Sequence, residues 1–236
     1  MSKTRKLVLL VVEGIIDMVS LELIVPKLVL CNDVRFAITN GDITSDLSVT
    51  VQNVKEKLRK IIQRYMDQYR LNQTDLIRVA HIVDTDGAFV SDSNVVWNPD
   101  ERLLYLPDRI ETSDVQGLVR RNRHKTQLLN MLVSTPEIFR KRYDVYYFSR
   151  NIEHVLNDKA GELSNDEKMR LAEENSDRYC NSPAKFLEFI SDPTIAAPGD
   201  YNETWDFVKE GTNSLHRYNN FYTFFDGSLG VSASLT

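Results

Sequence analysis

The chain has 236 residues, of which 42% are hydrophobic and 27% are charged, and its formal net charge is −5. This composition is typical of a globular protein, and the sequence lacks an apolar run of about 18 residues that could form a membrane helix. The negative charge argues mildly against a generally basic surface, although a local basic patch is sufficient for binding nucleic acid.

The cysteines and the N-terminus indicate the compartment. Cys31 and Cys180 are the two cysteines, and their spacing fits neither a metal site nor a disulfide framework. The apolar run near the N-terminus is interrupted by Glu13, so a signal peptide is not expected. The sequence therefore predicts a cytoplasmic protein without membrane association.

The first predicted strand, Lys6–Val12, contains six consecutive apolar residues, KLVLLVV. Such a continuous run is typical of a strand that is covered on both faces of a parallel sheet. Glu13 follows without a spacer, and Gly14 precedes a predicted helix over 15–30. Because α/β sheets bind ligands just beyond the carboxyl ends of their strands, Glu13 is a candidate functional residue.

The segment that follows predicts a second strand over 34–38 and a long helix that begins near Ser45 and Asp46 and extends to about residue 70. Apolar residues recur there at intervals of three and four, which predicts one buried helix face. A third strand is predicted over 76–83. We interpret His81, inside this strand, as a core residue rather than a catalytic base.

The third predicted strand leads directly into Asp84-Thr85-Asp86-Gly87. Two aspartates two positions apart at a strand end can direct their oxygens at one point. Together with Glu13 they would repel one another unless a cation lies between them. Carboxylate oxygens suit Mg²⁺, which also keeps water or phosphate ligands.

Two acidic motifs in this order resemble the Toprim domain of bacterial primases, topoisomerases and OLD-family nucleases. The first is Glu-Gly-x-x-Asp and the second is Asp-x-Asp-Gly, each behind an apolar strand; the matching residues are Glu13, Gly14, Asp17, Asp84, Asp86 and Gly87. The resemblance implies an α/β fold with a Rossmannoid four-stranded parallel sheet and flanking helices. One departure is Ile15, where many nuclease members carry a basic residue that contacts phosphate.

The resemblance also implies a metal-dependent phosphodiester chemistry. Asp84 and Asp86 would hold Mg²⁺ or Mn²⁺, and Glu13 would be a further ligand, through water, or a general base. Asp17, four residues after Glu13, could bind a second ion together with Glu153. The catalytic residues would then be Glu13, Asp84 and Asp86.

An insertion in the Toprim-like domain is predicted at about 88–135. It contains a possible short strand over 103–106 and a helix that begins after Ser113 and Asp114 and ends near 133. Four basic side chains of this helix are candidate phosphate contacts: Arg120, Arg121, Arg123 and Lys125. The alternative is a solvated polar helix face.

After a short helical piece that begins at Pro136, a fourth strand is predicted over 144–148, followed by a helix. Arg150 and Glu153 thus come at another carboxyl end, and the sequence Arg-Asn-Ile-Glu resembles OLD-type proteins, in which a late acidic residue joins the metal site. Arg150 is a candidate nucleic-acid contact. For Glu153 the alternative is an exposed first-turn residue favoured by the helix dipole.

The Toprim-like domain is predicted over 1–157 and a helical appendage over 158–236. The appendage has predicted helices over 164–179, 183–190, 202–209 and 214–225, the first with a capping box formed by Ser164 and Glu167. Its clustered aromatic residues are expected either to dock it on the sheet domain or to form a dimer surface. They are Trp205, Phe207, Tyr218, Phe221, Tyr222, Phe224 and Phe225.

Three functions fit this sequence. The first is a nuclease of DNA or RNA, including tRNA, that acts as a toxin-like effector of bacterial anti-phage defence by abortive infection. No P-loop is present, so a separate ATPase of ABC type is the expected partner, because OLD-type Toprim domains occur with one. The second is an RNA-processing maturase, and the third is a non-catalytic binding module in a nucleoprotein complex.

Overall fold

The computed structural model describes residues 6–29, 32–159, 161 and 163–226. Its strands are β1 Lys6–Val12, β2 Asn32–Ile38, β3 Leu76–Asp84, β4 Val95–Trp97, β5 Leu104–Tyr105, β6 Ile110–Thr112, β7 Glu137–Ile138 and β8 Lys141–Phe148. Its α-helices are α1 Ile15–Leu21, α2 Val25–Leu28, α3 Val54–Gln68, α4 Val115–Val133, α5 Ile152–Asn157, α6 Asn165–Cys180, α7 Pro183–Ile190 and α8 Tyr201–Lys209. The chain is thus an α/β protein, as the sequence predicts.

The main sheet has five strands in the order β2-β1-β3-β8-β7. The first four pair in parallel, and β7 pairs with β8 in the antiparallel direction. The sheet is therefore mixed, whereas the sequence predicted four parallel strands only. The added strand replaces the helical piece predicted after Pro136. Phe139 and Arg140 both have φ of 57°, and this two-residue turn folds the segment into a hairpin.

The apolar run of β1 is explained by helices on both faces of the sheet. Leu7 to Val12 are all buried. Val8, Leu10 and Val12 belong to one hydrophobic cluster, and the alternating residues between them belong to a second cluster on the opposite face. Side chains of successive strand residues point to opposite faces, so a strand covered on both faces needs apolar residues throughout.

Two predicted helices are shorter than expected. The helix predicted over 15–30 ends at Leu21 and resumes at Val25, because the ring of Pro26 would clash with the carbonyl of Glu22 in one continuous helix; position 30 lies outside the described residues. The helix predicted from Ser45 begins only at Val54. The Asp46 carboxylate accepts a hydrogen bond from the Ser48 amide at 2.9 Å, and such side-chain bonds favour turns over helix.

The predicted insertion contains the second sheet and α4. Its three short strands lie in the order β4-β6-β5. The predicted α4 is confirmed, with Asp114 at its N-cap accepting a hydrogen bond from the Gly117 amide at 2.9 Å. The second sheet and α4 both follow β3 in the chain, and α4 packs Leu128, Leu129 and Leu132 on one face of the main sheet.

The C-terminal segment packs directly on the main sheet. The helix α6 has the predicted capping box of Ser164 and Glu167. Trp205 packs against Tyr147 with 4.9 Å between ring centroids, and Phe221 packs against Phe148 at 5.8 Å. The aromatic residues therefore form part of the core, which is the first of the two predicted alternatives. The helix predicted over 214–225 is wrong, since that segment contains two short 3₁₀ helices separated by extended chain.

The extended chain between those 3₁₀ helices covers one edge of β8. The Asn220 side-chain oxygen accepts a hydrogen bond from the Tyr147 amide at 2.8 Å, and the Tyr201 hydroxyl contacts both the amide and the carbonyl of Val145 at 3.0 Å. These contacts satisfy backbone groups that β7 is too short to reach. None of the described helices combines the length and the hydrophobicity that a membrane span requires.

Candidate functional site

Two carboxylates meet where adjacent strands β1 and β3 end. Glu13 follows the last residue of β1, and Asp84 is the last residue of β3. The Asp84 amide donates a hydrogen bond to Glu13 Oε1 at 3.4 Å. The Glu13 carbonyl in turn accepts hydrogen bonds from the Gly41 amide at 3.0 Å and the Thr39 hydroxyl at 3.2 Å. The loop after β2 therefore fixes the backbone of Glu13.

Asp17 is positioned by the start of α1. Its carboxylate accepts a hydrogen bond from the Gly14 amide at 2.8 Å, so it is part of the N-terminal cap of that helix. This contact leaves the carboxylate one turn away from Glu13 and on the same side of the chain. The Glu-Gly-x-x-Asp spacing thus brings both acidic groups to one place.

A cavity of about 730 Å³ lies over this edge of the sheet. Its acidic lining residues come from five separate segments of the chain: Glu13, Asp17, Asp42, Asp84, Glu153 and Asp166. Lys168, from the first turn of α6, is the basic residue of the lining, and the exposed Ile15 also lines the cavity. The volume is in the range that accommodates a small ligand.

The electrostatics of this cavity disfavour a full set of charged carboxylates. Burial and repulsion from Asp42 raise the pKa of Glu13 well above its ordinary value, and burial and repulsion from Glu13 do the same for Asp84. Burial raises the pKa of Asp17 to about 6, with a further contribution from Glu153. A bound cation would relieve this repulsion and favour the ionised forms.

Glu153 has the environment expected of a ligand to such a cation. It lies in the first turn of α5 and is only 5% exposed, yet its Oε2 atom has no hydrogen-bond partner among the described residues. Its Oε1 atom is 3.7 Å from Lys168 Nζ. A buried, unpartnered carboxylate oxygen is costly, and coordination of a cation would remove that cost. Glu153 is therefore not the exposed helix-start residue that was the alternative.

Asp86, which was also a predicted ligand, is directed elsewhere. Its carboxylate forms ion pairs with Lys125 Nζ and, at 3.6 Å, with Arg121 Nη1. Its backbone has φ of 47°, and its amide donates a hydrogen bond to the Arg150 carbonyl at 2.9 Å. Asp86 does not belong to the cavity lining, so the structure brings together four of the five predicted metal ligands there.

The residues of the cavity fit a divalent cation chemically, although they do not form a closed coordination site. Hard carboxylate oxygens are the ligands that Mg²⁺ and Mn²⁺ prefer. Within the described ranges, no group of three or more His, Cys, Asp or Glu side chains lies at the spacing of a formed metal centre. The orphaned Glu153 oxygen is the observation that favours a cation.

The predicted nucleic-acid contacts divide into two groups. Arg120 and Arg123 are exposed on α4, and Arg123 pairs with Asp92. Arg121 is partly buried against Asp86, Lys125 has no exposed surface, and Arg150 is only 4% exposed, with its guanidinium 4.5 Å from the ring centroid of Tyr105. The consecutive basic residues therefore face in different directions, and Arg120 and Arg123 are the most exposed of the five.

Sequence reasoning missed Asp42. Its carboxylate lines the cavity and binds Lys125 Nζ at 2.7 Å. Burial opposes its ionisation, but Lys125 holds the pKa of Asp42 well below its usual range. The available signal is its place just beyond the carboxyl end of β2, although Asn40-Gly41-Asp42 by itself indicates only a turn. Asp166 and Lys168 come from α6, and no local motif marks them.

His81 is fully buried in β3, as predicted for a core residue. Its Nδ1 atom lies 2.8 Å from the Tyr143 hydroxyl, and burial lowers its pKa to about 4. It is one of the interior side chains of the strand and is not part of the cavity lining.

Comparisons with known proteins do not place the chain in a family. No protein-family model, no curated protein and no solved structure matches it.

Proposed function

We propose that this chain is a nuclease that depends on Mg²⁺ or Mn²⁺ and cleaves phosphodiester bonds of DNA or RNA on a Toprim-like sheet. The observation that carries the proposal is the meeting of Glu13 and Asp84 at adjacent strand ends, in one cavity with Asp17 and Glu153. The order of the two acidic motifs in the sequence supports it independently.

The side chains of the cavity suit distinct roles. A bound divalent ion would polarise the phosphoryl group and stabilise the leaving oxyanion. Asp84 and Glu153 would hold such an ion, and Asp17 would hold it or a second one. Glu13, whose pKa is raised by burial and by Asp42, is suited to accept a proton from the attacking water at a carboxylate oxygen.

Backbone strain at the strand ends is consistent with a functional edge. Asn40, Asp86 and Arg150 have φ values of 60°, 47° and 61°, and each lies just beyond a different strand of the parallel set. Residues other than glycine are uncommon in this conformation, which costs on the order of 1–3 kcal/mol and is concentrated at functional sites. Three such positions at one end of the sheet favour a site there.

The resemblance to OLD-type nucleases supplies the biological part of the proposal. The protein would be a toxin-like effector of bacterial anti-phage defence and would act with a separate ATPase of ABC type. The exposed Arg120 and Arg123 would contact the substrate backbone. A homodimer is compatible with this arrangement.

The alternatives are an RNA-processing maturase and a non-catalytic binding module. The net charge of −5 disfavours the maturase, because a protein that binds a large structured RNA is expected to have a more basic surface. The unpartnered oxygen of Glu153 disfavours a module with a vestigial acidic cluster, since no group of the described structure donates a hydrogen bond to this buried atom.

The test is cleavage by the purified chain, with Mg²⁺ or Mn²⁺, of plasmid, single-stranded DNA and total tRNA. Glu13→Gln should reduce cleavage by about 10²-fold or more if Glu13 is the general base, and Asp84→Asn should reduce it similarly. Glu137→Gln is the matched control, because Glu137 is exposed on β7 at the opposite end of β8. Cleavage that survives the Glu13 and Asp84 substitutions would exclude the proposed chemistry.

A further inference from the structure

The ammonium group of Lys125 is buried beside the acidic cavity. Lys125 projects from α4 and has no exposed surface, and its Nζ atom lies 2.7 Å from Asp42 Oδ2 and 2.5 Å from Asp86 Oδ2. Asp42 and Asp86 come from the loops that follow β2 and β3. The lysine thus joins two strand ends that have β1 between them in the sheet.

A second residue of the same helix supports this arrangement. Arg121 is one turn before Lys125, and its Nη2 atom donates a hydrogen bond to the Asp86 carbonyl at 3.0 Å. Asp86 is therefore held through its carboxylate and its backbone by two cations of α4. Breaking a buried ion pair by removing one partner leaves an uncompensated charge, so these contacts fix the orientation of Asp86 strongly.

The positive charge of Lys125 neutralises two neighbouring carboxylates. Asp42 lines the cavity and repels Glu13, whereas Asp86 is not part of the lining and pairs with the same lysine. Without a positive charge between them, Asp42 and Asp86 would be two neighbouring carboxylates with little solvent. The ammonium occupies the position that a metal ion would otherwise have to fill between these two side chains.

We infer that Lys125 is a positioning residue that acts as a permanent cation between Asp42 and Asp86, holds Asp86 out of the cavity, and leaves Asp17, Asp84 and Glu153 to hold the divalent ion beside Glu13. The identity of that ion rests on the proposed function. The role of Lys125 does not, because it follows from contacts within the chain. Asp86 then supports the site through its ion pairs and is not itself a metal ligand.

The experiment counts bound Mn²⁺ by electron paramagnetic resonance and measures the melting temperature, in chelator and in Mn²⁺, for the full chain. Lys125→Met should have a lower melting temperature than the wild type in chelator. Addition of Mn²⁺ should raise its melting temperature by more than that of the wild type, and it should bind one more Mn²⁺ ion. Asp86→Asn, which retains Lys125, should keep the Mn²⁺ binding of the wild type, whereas Asp84→Asn should lose it.

If Lys125→Met does not fold, the double variant Lys125→Met/Asp42→Asn provides the test in its place. It leaves one buried carboxylate in place of two, and it should fold and bind the same number of Mn²⁺ ions as the wild type. The inference is overturned if Asp86→Asn loses Mn²⁺ binding as fully as Asp84→Asn, or if Lys125→Met leaves both stability and Mn²⁺ stoichiometry unchanged. A wild type that binds no Mn²⁺ would refute the proposed function instead, and the metal response of Lys125→Met would still decide the role of the lysine.

Discussion

The amide of Asp84 donates to the carboxylate of Glu13 at 3.4 Å, which ties the last residue of β3 to the residue that follows β1. The two residues are 71 positions apart in the sequence, yet both carboxyl groups are buried, and repulsion from Glu13 adds to burial in raising the pKa of Asp84. Stability of the metal-free protein is therefore reduced at the place where the function is proposed, a relationship that recurs at binding sites.

Neutralising either member of this pair should stabilise the metal-free protein. Glu13→Gln and Asp84→Asn are each expected to raise the melting temperature in chelator, by about 2–4 °C for each kcal/mol of relieved repulsion in a chain of this size. Because the two carboxylates repel one another, the double variant should gain less than the sum. Scanning calorimetry in chelator measures these melting temperatures, and the control Glu137→Gln should differ little from the wild type. A lower melting temperature for both single variants would show that no repulsion exists.

Asp17 gives a prediction about pH. Its pKa is raised from 3.8 to about 6, so the folded protein binds more protons there than the unfolded chain between these values. The contribution of Asp17 to stability is therefore fully present below pH 4 and is lost as the pH rises to about 6. Relative to Asp17→Asn, the free energy of unfolding of the wild type should fall by about 3 kcal/mol over that interval, and then stay constant.

The comparison with Asp17→Asn is necessary because other groups act in the opposite direction. Burial lowers the pKa values of His81 and His154 to about 4, so their contributions to stability are lost as the pH falls below the ordinary histidine value. Urea denaturation of both proteins across this pH range removes the histidine contributions, since the histidines are common to both proteins. A difference that does not change with pH would mean that Asp17 titrates normally.

Gly87 should not tolerate a side chain. Its φ is +65°, and a Cβ atom there would lie 2.7 Å from Leu215 Cδ2 and 3.0 Å from Ile110 Cδ1. Gly87→Ala is expected to lower the free energy of unfolding by about 1–3 kcal/mol through strain and overpacking. Urea denaturation measures the change, and Gly161→Ala, where nothing lies within 4 Å, is the matched control. Equal effects of the two substitutions would contradict the close packing of this turn.

Asn220 should be required to protect the backbone groups on the outer edge of β8. Its Oδ1 atom accepts from the Tyr147 amide at 2.8 Å, and its Nδ2 atom donates to Thr204 Oγ1 at 3.1 Å. Asn220→Ala leaves these buried groups unpaired. Loss of the partner of the Tyr147 amide is expected to lower the free energy of unfolding by about 1–3 kcal/mol. Asn202→Ala, on the exposed face of α8, should change the free energy of unfolding by less than about 0.5 kcal/mol. Hydrogen exchange of the Tyr147 amide, if unaltered in Asn220→Ala, would argue against this role.

The sequence was informative wherever a local pattern determines the structure. The continuous apolar run of β1 predicts a strand covered on both faces, and the Ser164 and Glu167 pair marks the start of α6. The same applies to Glu13 and Asp84, because a charged residue directly after a buried strand lies at the sheet edge in a parallel arrangement.

The orientation of Asp86 could not be predicted in this way. Its direction is decided by Lys125, which lies 39 positions away on a helix of the insertion, and a run of basic residues does not show which of them is buried. The hairpin after Pro136 was missed for a related reason. Its turn is formed by Phe139 and Arg140 at positive φ, a conformation that turn sequences usually mark with glycine or asparagine.

The covering of β8 by Asn220 and Tyr201 limits how this sheet can grow. A strand from another molecule that added to the sheet would find the carboxyl half of β8 already hydrogen-bonded, whereas in the described part of the chain no strand pairs with the outer edge of β2. That outer strand carries Asp33 and Arg35, paired at 2.9 Å, and charged side chains on an edge strand discourage edge-to-edge aggregation. Intermolecular β-sheet formation by the folded protein is thus blocked by hydrogen bonding on one side and opposed by charge on the other.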